Sequence, residues 1–504
     1  MKKVILKCLP IIILVLYIST PGVYAQNASV INDSIFSNIL NEERSIKVIL
    51  PDEYKPGSSE KFEVIYLTDG EWVLDFFPYI YKFAKNENYV PPVIFVDIPN
   101  KYIGKACQRD RDFLPVHVEN PVISGGADKF IGFLKNELIP YIDKTYPTNG
   151  TNSLYGHSYG GLFVMYTLLK EPELFRTYYA TDPSFWWNND FMIKLASESV
   201  GNLPSDKLLW IAGIDETFRG MGIGRMDSVL KAKAPLGLKW KIATFPNEKH
   251  NSVKLKAIYD GIKYAYSGYS KSGIKFHPMN GILLKDKPAT VYLVDQYSDV
   301  SYTVDGTEPT ITSPKAPQKI TLSGPAQLVI KSFSTSGRYD FVTKGSFLPG
   351  ETMSASVKPK KIEKGGLKYS LYSGSWDKMP DVKKMKPVHN GIADSLFNIQ
   401  NLPIKTGFAC VFEGFLEIKD DGYYIFATSA NNGARLFLGN KLIIDANEIS
   451  PAEKINSFII PLQKGFYPIR VDYFQKETNP ILHLLYMTPG SSSPIGIPNK
   501  YLYH

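Results

Sequence analysis

A chain of 504 residues is too long for one hydrophobic core, so two or three domains are expected. Its 44% hydrophobic and 21% charged residues are those of folded protein and exclude a long disordered region. The net charge of +8 becomes +5 without residues 1–25, which hold Lys2, Lys3 and Lys7 and no acid. The remaining positive charges are scattered, with no basic helix or stripe, and no nucleic-acid partner is expected.

The three lysines precede an apolar run from Ile11 to Tyr17, and Val23-Tyr24-Ala25 follows with small residues at its ends. This is the pattern of a secretory signal peptide, residues 1–25, cleaved after Ala25. The apolar run is too short to span a bilayer, and Cys8 lies before it, so no stable membrane anchor is expected. The mature chain is expected to be exported, periplasmic or secreted. It would keep Cys107 and Cys410, which fall in different predicted domains and are read as two buried thiols, not a disulfide. No C-x-x-C or H-x-x-x-H grouping is present, which argues against a cysteine or histidine metal site.

Strands are predicted at Ser45–Leu50, Phe62–Leu67 and Val90–Ile98, with helical spacing between them at Val73–Ala84, where Pro78 should kink or restart the helix. Ala127–Tyr146 carries Phe130, Phe133, Leu134, Leu138 and Ile142 on one stripe and reads as the clearest helix. Further strands are expected at Thr177–Thr181, Lys207–Gly213 and Lys239–Phe245. Nearly continuous apolar strands alternating with helices point to a parallel, doubly wound sheet covered on both faces, over residues 31–269.

Within that stretch, Ser153-Leu154-Tyr155 leads into Gly156-His157-Ser158-Tyr159-Gly160-Gly161, and an amphipathic run, Leu162–Leu169, follows. Strand, sharp turn and helix around a G-x-S-x-G are the context of a nucleophilic serine. The turn lifts the hydroxyl out of the sheet, and the flanking glycines let strand and helix close around it. A serine hydroxyl needs a histidine to take its proton and usually an acid to orient that histidine. His117 precedes the serine and His157 adjoins it, so His250, in the polar loop after the Lys239–Phe245 strand, is the base expected by elimination. Asp215 and Glu216 directly follow the Lys207–Gly213 strand, and either is a candidate acid, with Glu216 preferred. Tyr159 should supply one backbone N–H to the oxyanion, and Glu71 or Trp72, after Asp69-Gly70, the other. Trp186 and Trp187 are candidate walls of an acyl or sugar pocket, with His157 beside the serine, although the tryptophans would serve equally as core aromatics.

The catalytic region resembles the esterase D-like family of α/β-hydrolases, which includes carbohydrate esterases of family one, feruloyl and acetyl-xylan esterases, and enterobactin-type siderophore esterases. The resemblance is carried in order by Leu40-Asn-Glu-Glu-Arg44, Tyr66-Leu-Thr-Asp-Gly70, Arg109-Asp-Arg-Asp-Phe-Leu-Pro115, Gly125-Gly126-Ala127, Glu137-Leu-Ile-Pro-Tyr-Ile-Asp143, the serine motif, and Asp182-Pro-Ser-Phe-Trp-Trp187. It implies Ser158 and His250 as catalytic residues, no cofactor and no metal. It also implies an acid three residues beyond the glycine that ends its strand, which here is Glu216.

After Tyr269 the texture changes to short alternating strands separated by Gly, Pro and Ser. Ala289–Val294, Ser301–Val304, Lys319–Leu322 and Gln327–Phe333 should form a small sandwich over residues 272–350. Tyr302-Thr-Val-Asp-Gly-Thr-Glu-Pro309 there resembles the chitobiase C-terminal, fibronectin-type-III-associated module. A lysine-rich linker, Lys358–Lys364, leads to residues 366–504, which resemble the protective-antigen type β-sandwich at Phe412–Phe426, Asn431–Asp445 and Lys464–Phe474. Lectins of that type hold calcium through paired aspartates, whereas this chain has Asn431-Asn432, and neutral amides bring less charge to a hard cation. The fold class expected is thus an α/β-hydrolase followed by two all-β sandwich domains. From the company of the two β-modules, the expected substrate is a feruloyl or acetyl ester on plant polysaccharide or oligosaccharide. A siderophore trilactone is the alternative, and a carbohydrate-binding or adhesion protein with a vestigial hydrolase domain is the competing class.

Overall fold

A computed structural model describes residues 30–504, apart from 120–122, 216–217, 271–272, 295–299, 395–398, 400–401, 450–452, 477–478 and 492. Residues 1–25, expected to be a signal peptide, with Cys8, and Glu216 lie outside the described residues. The chain divides into two compact units, with the break between Ala265 and Tyr266.

The first unit is built on eight strands: β1 (Val30–Ser37), β2 (Glu42–Ile49), β3 (Phe62–Thr68), β4 (Val93–Ile98), β5 (Thr148–His157), β6 (Thr177–Thr181), β7 (Leu208–Ile214) and β8 (Lys239–Phe245). They lie in the order β1-β2-β4-β3-β5-β6-β7-β8. β4 through β8 run parallel, while β1 pairs antiparallel with β2, and β2 with β4. Every residue of β3, β4, β6 and β7 is buried, as near-continuous apolar strands require when helices cover both faces. β8, at the edge, is partly exposed and carries Lys239 and Lys241, charges that discourage pairing with another chain.

The helices are α1 (Phe77–Asn86), α2 (Arg109–Phe113), α3 (Ala127–Phe133), α4 (Ile139–Thr145), α5 (Tyr159–Lys170), α6 (Trp187–Ser199), α7 (Ile223–Lys233) and α8 (Val253–Ala265). Pro78 does not kink α1 but sits in its first turn, where no N–H is needed. A widened π turn, Leu134–Leu138, joins α3 to α4 just before Pro140, which has no N–H to give the preceding turn. The predicted helix over 127–146 is therefore continuous but not uniform.

Two of the charged motifs interlock. Arg44 on β2, 2% exposed, donates to Asp112 on α2 at 2.7 Å, while Arg111 reaches back to Glu42 at 2.6 Å. The Arg44 guanidinium lies 5.1 Å from the Phe130 ring, whose neighbours Phe113 and Phe163 complete an aromatic core under α2. A short helix of five residues is thereby held by charge pairs and by packing, not by its own hydrogen bonds.

The second unit holds the two expected β-sandwich regions, which keep separate cores but share one sheet. Its strands include β9 (Asn280–Leu283), β10 (Ala289–Leu293), β11 (Val300–Thr303), β12 (Lys319–Leu322), β13 (Ala326–Ser332), β14 (Val342–Pro349), β15 (Leu367–Ser373), β16 (His389–Ala393), β17 (Phe408–Ile418), β18 (Gly422–Ala430), β19 (Ala434–Leu438), β20 (Lys441–Ala446), β21 (Lys454–Leu462), β22 (Gly465–Gln475) and β23 (Leu482–Met487). One sheet runs β11-β13-β14-β9-β21-β18-β23 without a break. β9 is parallel both to β14 of the small module and to β21 of the larger sandwich, with Asn280 opposite Phe458 and Gly281 opposite Ile459. A facing sheet, β16-β15-β17-β22-β19-β20, closes the larger core. β9 and β14 are not among the strands expected from the sequence. Their pairing supplies the edge that β21 would otherwise expose. Cys410 is buried, whereas Cys107 is only half-buried, contrary to the expectation of two buried thiols; both are free.

A Cβ on Gly281 would lie 2.2 Å from Ile459 Cγ2 and 2.5 Å from the Ile459 carbonyl oxygen, so only glycine lets β9 lie against β21. Gly281→Val should therefore destabilise the second unit by about 1–3 kcal/mol, as overpacking does. Scanning calorimetry should show its transition lowered while that of the first unit stays in place.

Candidate active site

β5 turns into α5 through a single residue, Ser158, whose φ of 59° and ψ of −116° lie outside the regions that L residues favour. The strained turn is fixed on three sides. The Ser158 N–H donates to the Thr181 carbonyl at 3.0 Å, and the Ser158 carbonyl accepts the N–H groups of Leu162 at 3.0 Å and Ser184 at 3.2 Å. Glycine is required at two flanking positions. A Cβ on Gly156 would lie 2.2 Å from the Gly160 carbonyl oxygen, and one on Gly160 would lie 2.9 Å from Thr68 Oγ1 and 3.0 Å from Asp69 Oδ2. The second contact also shows that the loop after β3 sits directly against the elbow.

His250, between β8 and α8, presents Nδ1 to Asp182 Oδ2 at 2.6 Å. Asp182 follows β6 directly, is fully buried, and is anchored by its own N–H on the Ala212 carbonyl at 2.6 Å. The acid on the imidazole is therefore one strand nearer the serine strand than expected. Asp215 lines a separate hollow with Phe218, Asp227, Lys231, Ile242 and Thr244, and Glu216, the preferred candidate, lies outside the described residues. The physical reason is adjacency: β6 is the immediate neighbour of β5, so the carboxylate at its C-terminal end stands beside the elbow, where the Ser158 N–H is bonded to Thr181. The sequence signal was available, since Asp182 opens the Asp182-Pro-Ser-Phe-Trp-Trp187 motif straight after a strand. The chain order serine, acid, histidine is kept.

His157 was expected as a pocket wall and is instead a clamp. It is 6% exposed, its Nε2–H donates to the His250 carbonyl at 2.7 Å, and the two rings lie 4.4 Å apart. Burial, reinforced by the neighbouring His250, pushes its pKa down to about 3 and keeps the ring neutral. The residue beside the nucleophile thus holds the backbone of the residue that carries the base.

Ser158 Oγ lies 3.2 Å from Ser184 Oγ. The Tyr159 N–H, first in α5, has no acceptor among the described residues, as an oxyanion donor should not. Of the two candidates for the second donor, Trp72 is ruled out, because its N–H is committed to the Asp69 carbonyl at 2.8 Å within the tight turn Gly70–Trp72. The Glu71 N–H has no acceptor among the described residues, and the Glu71 carboxylate accepts both the N–H and the Nδ2 of Asn100, at 3.0 and 2.9 Å. Trp186 is 45% exposed with its ring 6.4 Å from that of Tyr159, a position suited to a pocket wall. Trp187, by contrast, turns inward at the start of α6, is 3% exposed and packs on Phe191, so it belongs to the core. Trp72 instead presents an exposed ring, with the Arg109 guanidinium 5.4 Å from its centre. Among the described residues no group of three His, Cys, Asp or Glu side chains could hold a metal ion, and no helix is long and apolar enough to cross a membrane.

The sheet order, the elbow and the imidazole paired to a buried carboxylate define an esterase of the serine hydrolase type on an α/β-hydrolase fold. Comparison with known proteins agrees: residues 37–220 match the family described as "Putative esterase", and residues 365–498 match the PA14 domain. The chain is similar to a siderophore triacetylfusarinine C esterase of Aspergillus fumigatus, 34% identical over 132 residues, which are 25% of this chain and 45% of the relative. It is also similar to the ferri-bacillibactin esterase BesA of Bacillus subtilis, 25% identical over 248 residues, 45% of this chain and 86% of the relative. A solved structure of an IroE-like serine hydrolase from Shewanella oneidensis is 30% identical, with a TM-score of 0.43 over 48% of this chain and 81% of that one.

Two outcomes test the site. Asp182→Asn should lower kcat on p-nitrophenyl acetate by about 10³–10⁴-fold by releasing the imidazole tautomer, while Asp215→Asn should leave it unchanged within about threefold. For His157, an unfolded histidine titrates near 6.5, so between that pH and about 3 the unfolded chain binds a proton that the folded one does not. Its contribution to stability is full above pH 6.5 and is lost as pH falls toward 3. His157→Gln should therefore flatten the fall in melting temperature between about pH 7 and pH 4, measured by thermal unfolding across that range.

Proposed function

We propose that this chain is an exported serine esterase that hydrolyses the ester bonds of siderophores. The observation that carries the esterase chemistry is the 2.6 Å contact between His250 Nδ1 and buried Asp182, set beside a serine on a strained elbow. With Nδ1 occupied, Nε2 is the nitrogen left to take the Ser158 proton. The Ser158 oxygen then forms a bond to the ester carbonyl carbon, and the carbonyl oxygen takes the negative charge and is met by the N–H groups of Tyr159 and Glu71. Collapse breaks the bond to the leaving alcohol, which receives the proton from His250. Water, deprotonated by the same imidazole, then frees the acid from Ser158. Asp182 holds the tautomer that makes both transfers possible.

The substrate class rests on the relatives. Two relatives named as siderophore esterases are similar to this chain, one over most of its own length. The expectation of a feruloyl or acetyl ester on polysaccharide rested on the company of β-modules alone, which is an association and not a property of the site. Export rests on the lysines and apolar run of residues 1–25. The PA14 domain would then serve as an accessory module, and carbohydrate binding by it is not needed for the reaction.

A side-by-side assay decides the substrate. Mature protein is expected to cleave enterobactin- and bacillibactin-type trilactones or triacetylfusarinine C with kcat/KM at least about 100-fold above that for methyl ferulate or acetylated xylan, and Ser158→Ala should abolish the activity. The reverse ranking would return the polysaccharide reading. Equal rates with and without Ser158 would remove the hydrolase altogether.

A further inference from the structure

The two oxyanion donors lie on different segments, and something must hold them in register. The Glu71 N–H belongs to the loop after β3, and the Tyr159 N–H to the turn after β5. The β3–β5 ladder ends at Leu67 and Tyr155, with one further bond from Thr68 Oγ1 to the Tyr155 carbonyl at 2.9 Å. Past that point the main-chain ladder no longer links the two segments, and a buried ion pair spans them. Arg109, on α2, donates from Nε to Asp69 Oδ1 at 2.5 Å and from Nη2 to Asp69 Oδ2 at 2.7 Å. The same Nη2 donates to the carbonyl of His157 at 3.0 Å, the residue immediately before Ser158.

Both ends of this bridge are constrained. Asp69 is 1% exposed, holds a left-handed backbone (φ 57°, ψ 40°), and also accepts Asn100 Nδ2 at 2.9 Å. The next residue, Gly70, leaves no room for a side chain: its Cβ would fall 1.2 Å from Oδ1 of fully buried Asp97. Arg109 is packed among the rings of Phe113, Trp72 and Tyr159, at 5.3, 5.4 and 5.7 Å. The Arg44–Asp112 pair in turn fixes α2 to β2. A guanidinium with two nitrogens committed inside the protein acts as a fork between two backbone segments, a geometry that lysine cannot reproduce.

We infer that Asp69 and Arg109 are positioning residues for the oxyanion hole, holding the Glu71 loop against the Ser158 elbow so that both N–H groups converge on one oxygen. The inference rests on the serine-esterase reading above, and the pair touches no reacting atom. Because donors must sit within about 2.7–3.1 Å of the oxyanion, a small shift of one loop removes a stabilising bond in the transition state alone. The loss should appear in kcat and not in KM.

The test uses full-length mature protein and p-nitrophenyl acetate, a neutral ester that gives Arg109 no charge to bind. The variants are Asp69→Asn, Arg109→Gln and the two together, the last leaving no unpaired buried charge and so protecting the fold. Titration to completion with diisopropyl fluorophosphate counts competent Ser158 sites, and rates are expressed per site. Each single variant and the double should lose about 100-fold in kcat per site, with KM within about twofold and with the pH midpoint of kcat/KM unmoved. A double-variant loss near that of either single one marks the pair as one device. Rates per site equal to wild type would overturn the proposal, as would a rise in KM at constant kcat, which would make Arg109 a substrate ligand. A wild-type protein with no Ser158-dependent turnover would instead defeat the esterase reading itself, a different result from variants that match an active parent.

Discussion

The first unit depends on the backbone of one residue. Ser158 holds φ and ψ values that cost free energy, and the structure meets that cost from several directions. The N–H and carbonyl of Ser158 are hydrogen-bonded to β6, to α5 and to the loop that follows β6, while Gly156 and Gly160 allow strand, helix and the loop after β3 to meet without side chains between them. The turn that exposes the nucleophile is thus also the place where three neighbouring strand ends are joined. The residues one would select for reactivity are inseparable from those that let the sheet close.

Carboxylates are paired around this turn, each pair with a mechanical consequence. Asp182 with His250 sets the imidazole, and Asp69 with Arg109 ties the oxyanion loop to the strand that bears the serine. Arg44 with Asp112 seats the short helix from which Arg109 extends. Removing one member of either arginine–carboxylate pair would leave its partner's charge in a low-dielectric site. Asp97 is the exception: fully buried, with neither oxygen hydrogen-bonded among the described residues, it has its pKa raised to about 7 by burial, against the pull of Lys47. It occupies the space that Gly70 leaves, directly beneath the oxyanion loop.

In the second unit the organising constraint is the open edge. β21 would end one sheet of the larger sandwich, but β9, the edge strand of the small module beside β14, lies parallel to it and joins both into one sheet. The small module has a buried cluster of its own, which includes Phe276, Val291 and Leu328, and Ile459 of the larger sandwich joins it. The two modules read in tandem thus share one continuous sheet within a single compact unit.

Much of the site was legible in the residues themselves, because it is local. A glycine-flanked serine between a strand and a helix, and a histidine in a polar loop at a strand end, are signals carried within a few positions. So are fully apolar strands and the proline-marked helix start. What the tertiary structure alone decided were matters of adjacency and direction. Which strand end stands beside His250 selected Asp182, and a side-chain hydrogen bond turned His157 from a wall into a clamp. The sense of a helix start sent Trp187 into the core and left Trp186 outside, while a turn consumed the Trp72 N–H and spared that of Glu71. Each of these depends on distances of a few ångströms between segments tens of residues apart. Composition and spacing constrain the neighbourhood of such contacts, but only packing determines which atoms meet.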